Sequence, residues 1–236
     1  MPISVLQTAV LQSAILGGLS NVLAQAITAY KHEVNIHNFP SHGKGGRAGL
    51  TMMATKQSLA INWIPVLQFI LFNAISAPPN YLWQLLLEDN FPAHPSRSQG
   101  KGTDKKAVKP RLSKRNTAAK LVLDQTISAA FNTILFSIFN RSMRAAMPAA
   151  PVETNIFKAV TLMATPGFIN FAKVDFGAVW KATMQDFGHV IVANWKVWPA
   201  IALVNFSLIK TVRMRTLVLA LAGLGWRVYL SLFAAA

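Results

Sequence analysis

Three histidines five residues apart, His32, His37 and His42, and the run Gly43-Lys44-Gly45-Gly46-Arg47 are the residues whose types and spacing first suggest chemistry. The histidines could bind a metal, but no cysteine or clustered carboxylate joins them, and a glycine-rich segment does not fix a coordination sphere. The glycine run lacks both the strand before it and the Lys-Ser/Thr pair that a phosphate-cradling loop needs. Elsewhere the 8 acidic residues are scattered and cysteine is absent. That leaves no nucleophile with a base and an orienting partner, no paired carboxylates and no thiol site. We therefore expect no catalytic residue, no metal site and no cofactor, and the chain does not read as an enzyme. His189 reads as structural.

The other polar residues of interest lie inside apolar stretches. Asp124-Gln125 falls within the first two turns of a stretch running from Thr117 to Asn140, which also holds Asn132, and Asn205 lies in a later one. A carboxylate in a membrane span costs about 2.5–3.5 kcal/mol at the centre and less near the end, so it faces a partner or water. Two roles stay open for Asp124: a place on a hydrated path, or a cap and anchor beside Lys120. Gln125, Asn132 and Asn205, with Gln7, Gln12, Asn21, Gln25 and Asn73, could line such a path or hydrogen-bond between helices.

Composition points to a membrane. Of 236 residues, 53% are hydrophobic and 13% charged, against about 25% charged in an ordinary soluble domain; the mean hydropathy is +0.36. Lys plus Arg is 23 against 8 acids, a formal charge of +15. The charge is concentrated between Arg97 and Lys120, where Lys105, Lys106, Lys109, Arg111, Lys114 and Arg115 stand among the basic residues and Asp104 is the single acid. A basic flexible loop over 92–116 facing anionic lipid is the expectation. It lacks the interleaved aromatics that stack on bases, so nucleic acid is not an expected partner. The first basic residue is Lys31, so neither a cleavable secretory signal nor an arginine-rich presequence is expected.

The apolar stretches give the elements. Residues 4–30 carry no charge over more than the roughly 20 residues a span needs, and Gly17 and Gly18 suit close helix contact. A polar loop is expected over 31–56. A second stretch runs from about Ser58 to Leu87 and should bend at Pro78-Pro79, the third is Thr117 to Asn140, and 141–193 suits a helix lying along the interface with Phe171, Phe176 and Trp180 toward the headgroups. Val190 to Ile209 forms one span or a broken helix, and Thr216 to Phe233 closes the chain. The fold expected is all-α: a single membrane domain over 1–236, an integral bundle of four transmembrane helices, or five, with an additional interfacial amphipathic helix.

Aromatic and polar residues recur at fixed points in the tail: Asn194, Trp195, Trp198 and Pro199, then Asn205-Phe206 and Arg215, then Trp226, Tyr229 and Ser231. In this order they resemble the closing signature of the Mpv-seventeen or twenty-two-kilodalton peroxisomal membrane protein family, and the chain looks like a fungal-type member. Pro78 and Trp83 match an earlier motif of that family, and Asp124-Gln125 its Asp-Gln pair. The chain departs from the family where a glycine, a histidine and a tyrosine accompany Pro78 and Trp83, where a proline follows Asp-Gln, and where Val-Pro stands in place of Ile209-Lys210.

The resemblance implies an organelle membrane protein of the mitochondrial inner membrane or the peroxisome. It also implies a weakly selective pore for small solutes or ions, for which Asp124, Gln125, Asn132 and Asn205 are the lining candidates. The alternative is a non-conducting scaffold or tether whose basic loop holds anionic lipid or a protein. A homo-oligomer is compatible with either.

Overall fold

The computed structural model describes residues 4–38, 60–94, 112–147 and 152–233, and these are helical with short connections. Helix α1 spans Val5–Asn38 and α2 spans Trp63–Asn90. Helix α3, Lys114–Leu123, passes through one π turn at Asp124–Ser128 into α4, Ala129–Ala146. Then come α5, Ile156–Ala164, a 3-10 turn at Phe171–Lys173, α6, Phe176–Trp195, α7, Trp198–Leu208, and α8, Val212–Phe233. The expected all-α fold is the one observed.

Two helices are long and apolar enough to cross a bilayer alone, α1 over Val5–Tyr30 and the continuous Lys114–Ala146. Counting α6 and α7, bent by 53° at their break, as one crossing gives three. The expected four or five spans exceed what length and apolarity support among the described residues. In α2 the difference is due to its own polar side chains, since Gln68, Asn73, Asn80, Gln84 and Glu88 interrupt the apolar run. The broken-helix reading of Val190 to Ile209 is the one observed.

Other boundaries differ too. Helix α1 continues through Lys31 to Asn38 instead of giving way to a loop at residue 31. Polarity there marks the end of the apolar stretch, but the sequence has no helix breaker before Pro40. The rest of the expected polar loop, from residue 39 to 56, lies outside the described residues, as do Lys105, Lys106, Lys109 and Arg111. Lys114 and Arg115 are not loop residues: they form the exposed first turn of α3, whose N-cap Ser113 accepts from Asn116 N–H. Pro78 and Pro79 lie within α2, which continues through them.

Polarity is distributed inside out for a soluble protein. Leu11, Ile15, Leu19 and Leu23 form an exposed stripe on α1 at four-residue spacing, while Lys120, Asn205 and Arg215 are fully buried. Apolar side chains facing out and ionisable ones facing in are what a lipid solvent selects. Helices α1 and α2 pack closely because Gly17 lies against Asn73; a Cβ there would stand 2.2 Å from Asn73 Nδ2. Gln25 then holds the start of α2, its Nε2 donating to Asn62 O at 2.9 Å and its Oε1 accepting from Asn62 N–H at 2.8 Å.

The stretch 141–193, expected to hold one interfacial helix, is divided among the end of α4, the short α5, the 3-10 turn that holds Phe171, and α6, which holds Phe176 and Trp180. Asn155 caps α5 by accepting from Phe157 N–H and Lys158 N–H. Its Ala159 packs against Ile64, Met143 and Met147, whereas Phe157, 80% exposed, and Val160 point outward. A short helix with an outward aromatic lies along a headgroup layer more readily than across a bilayer.

Candidate functional site

On α2 the residues Ser76, Asn80, Gln84 and Glu88 recur every fourth position, so they share one face. On the facing helix Thr117, Lys120, Asp124, Ser128 and Asn132 recur every third or fourth position through the π turn. The two stripes meet as a ladder of polar contacts. At about 1.5 Å per residue, the stretch from Asn80 to Glu88 is about 12 Å long.

The first rung is a reciprocal amide pair. Asn80 Nδ2 donates to Asn132 Oδ1 at 2.9 Å and Asn132 Nδ2 donates to Asn80 Oδ1 at 2.8 Å, with Ser128 O also accepting from Asn132. The middle rung is Asp124. Its Oδ1 accepts from Trp83 Nε1 at 3.2 Å and from Gln84 Nε2 at 3.3 Å, and its Oδ2 accepts from Gln125 Nε2 at 3.0 Å. All three donors are neutral. Of the two roles left open for Asp124, a bond to Lys120 is not among its contacts, because Lys120 pairs with Glu88.

Lys120 instead serves the third rung, donating from Nζ to Glu88 Oε2 at 2.8 Å. Arg215 of α8 pairs with the same oxygen, and Ala93 N–H donates to Glu88 Oε1 at 3.0 Å. The Phe206 ring lies beneath both cations, 5.3 Å from Lys120 Nζ and 5.7 Å from the Arg215 guanidinium carbon. Asn205, fully buried, donates to Arg215 O, and Arg215 Nε donates to Ile209 O at 2.9 Å. A charge so deeply buried is tolerated only when paired and hydrogen-bonded. Glu88, Asn80 and Gln84 are not among the sequence candidates, and Lys120 is one only as a neighbour of Asp124. The four-residue recurrence on α2 was the available signal for three of them.

The tail residues converge on the same seam. Trp195 Nε1 donates to Gln125 O at 2.9 Å, and Asn194 Nδ2 donates to Thr133 Oγ1 at 3.3 Å. Trp195 and Pro199 also line an open groove of about 350 Å³ with Leu121, Val122, Gln125 and Thr126. Pro199 lies in the first turn of α7, where its missing N–H costs no helix bond. Trp198 is half-buried and lies 3.9 Å from where a Cβ on Gly223 would be. A second polar contact line joins α4 to α6, where Ser137 and Thr183 share a hydrogen bond of 3.0 Å and Arg141 pairs with Asp186. Pro78 sits two residues before Asn80 on α2, Trp226 is half-buried on α8, and the side chains of Tyr229 and Ser231 lie outside the described residues.

Several buried polar atoms along the seam have no protein partner: Gln84 Oε1, Thr117 Oγ1, Gln125 Oε1, Asn205 Oδ1 and Arg215 Nη2. Native interiors leave few such atoms, and water or a ligand normally serves them. Among the described residues no cluster of three or more His, Asp or Glu side chains could hold a metal ion.

The family described as Mpv17 / PMP22 family matches residues 168–231, which hold the tail contacts described above. Over 227 residues the chain is 26% identical to protein sym1 of Schizosaccharomyces pombe, covering 96% of this chain and 84% of that protein. It is 26% identical to PXMP2/4 family protein 3 of Dictyostelium discoideum over 174 residues, 74% of this chain and 69% of the relative. Protein SYM1 of Debaryomyces hansenii is 30% identical over 159 residues, 66% of this chain and 60% of that protein. No solved structure matches the chain.

Proposed function

We propose that this chain, which belongs to the Mpv17 / PMP22 family of organelle membrane proteins, forms a weakly selective pore for small solutes or ions along the seam between α2 and α3–α4. Its setting is the mitochondrial inner or the peroxisomal membrane. One observation carries the reading: amide, carboxylate and ammonium side chains recur every turn along one line that is buried at Gln84, Lys120 and Asp124 and half-buried at Asn80, Glu88 and Asn132, while Leu and Ile face outward. Buried polar atoms left without protein partners give water places to bind along that line. Asp124, buried among neutral donors, would favour cations over anions at its rung.

The reading assigns the chain no reaction. It places anionic lipid on the basic segment 92–116, and it is compatible with self-association. Purified protein in planar bilayers tests it. Conductance above that of lipid alone, with mild cation preference in a salt gradient, is expected.

A second reading, a non-conducting scaffold, is favoured by the closure of the rungs on one another, since Asn80 and Asn132 satisfy each other across the seam. Silence in the same bilayer experiment would favour it.

A further inference from the structure

We propose that Lys120 and Arg215 form an anion seat, filled in this structure by Glu88, that also accepts a phosphate group, either free or on a lipid headgroup, in place of that carboxylate. Both cations are fully buried while Glu88 keeps a quarter of its side chain exposed. Two positive charges therefore share one carboxylate. The next carboxylate along α3, Asp124, is already occupied by Trp83, Gln84 and Gln125.

The donors around Glu88 outnumber what it uses. Lys120 Nζ, Arg215 Nη1 and Ala93 N–H converge on its two oxygens, and Arg215 Nη2 is buried with no acceptor at all. A guanidinium offers parallel N–H groups that suit a phosphate in two-point contact, and Lys adds a point charge. A phosphate has the additional oxygen that Nη2 lacks here. Exposed Lys114 and Arg115 on α3, and Lys210 and Arg213 before and within α8, place further positive charge on the elements that meet at this seat. The partly exposed Glu88 carboxylate marks the approach, because the other two members cannot be reached from solvent. The seat does not depend on conduction.

The test uses the full chain in nanodiscs of digalactosyldiacylglycerol, a neutral lipid whose headgroup carries no phosphate, with thermal unfolding as readout. Glu88→Gln removes the resident anion and leaves the cations. Inorganic phosphate should stabilise this variant with an affinity on the order of ten-fold tighter than wild type, given a lost charge pair at contact distance. If stabilisation comes from phosphatidylglycerol nanodiscs and not from free phosphate, the source is a lipid headgroup; if phosphate alone suffices, it is a soluble anion. Glu88→Gln/Arg215→Gln should lose the response. If that double variant responds like Glu88→Gln, the anion sits on the basic segment and the proposal is overturned. Equal response of Glu88→Gln and wild type overturns it as well. Should Glu88→Gln fail to assemble in neutral lipid, either anion should restore assembly, and failure with both overturns the seat.

Discussion

Trp195 donates its indole N–H to the main-chain carbonyl of Gln125, 70 residues earlier in the chain, at 2.9 Å. That carbonyl lies in the π turn, where Ala129 N–H reaches back five residues to Asp124 O. The wider turn alters the regular bonding four residues apart and leaves a carbonyl for an outside donor. The contact thus fastens the break between α6 and α7 to the rung that holds Asp124.

Trp195→Phe keeps an aromatic ring and removes the donor. A loss of about 1 kcal/mol in stability is expected, the net worth of one such hydrogen bond. Thermal unfolding in detergent measures it. An unchanged midpoint would show that the indole N–H does not hold the π turn.

The amide rung invites a double-mutant cycle. Asn80→Ala and Asn132→Ala should each destabilise, and their coupling should fall near 0.6 kcal/mol and below about 1.7, the range for interhelical hydrogen bonds in membranes. Additive effects would mean that the two amides do not act as a pair.

Close packing of α1 on α2 depends on Gly17. Gly17→Val would drive a side chain into Asn73, whose Nδ2 already donates to Phe69 O. A loss of about 1–3 kcal/mol is expected from overpacking, read as a fall in monodisperse protein on extraction. Gly18→Ala should be milder, since its added carbon meets the side chain of Ile70 at 2.9 Å and that chain can turn aside. The reverse order would contradict the contact described.

Asp124→Asn removes the charge from three hydrogen bonds at once, and its amide nitrogen would face the donors of Gln84 or Gln125. Bonds to a charged group are worth about 1.5–3 kcal/mol, so a loss of that order is expected alongside any change in selectivity. Unfolding measured in parallel with conductance separates the two effects.

The sequence made the helices legible through their apolar runs, and the break between α6 and α7 through the polar and aromatic residues at 194–199. Asp124 could be singled out because a carboxylate in an apolar stretch needs a partner. Its true donors could not, because Trp83 and Gln84 lie 41 and 40 residues away and only packing brings them close. Glu88 stands just past the apolar stretch that closes at Leu87, and its partners Lys120 and Arg215 are 32 and 127 residues distant. Lys120 was masked for a related reason. Read along the chain, it is the last of a run of basic residues, and only the helical stripe shared with Thr117 and Asp124 distinguishes it from the solvated ones.

Because the chain contains no cysteine, a single introduced thiol tests the central claim most directly. Asn132→Cys places it on the seam, and Ile127→Cys, at a position 52% exposed on the outer face, serves as the lipid-facing control. With each variant reconstituted in planar bilayers, a charged, water-soluble methanethiosulfonate reagent is added while current is recorded. The account expects Asn132→Cys to react and its conductance to fall, with Ile127→Cys unaffected. If Asn132→Cys conducts as wild type does and the reagent leaves its current unchanged, the seam between α2 and α3–α4 is not the water path.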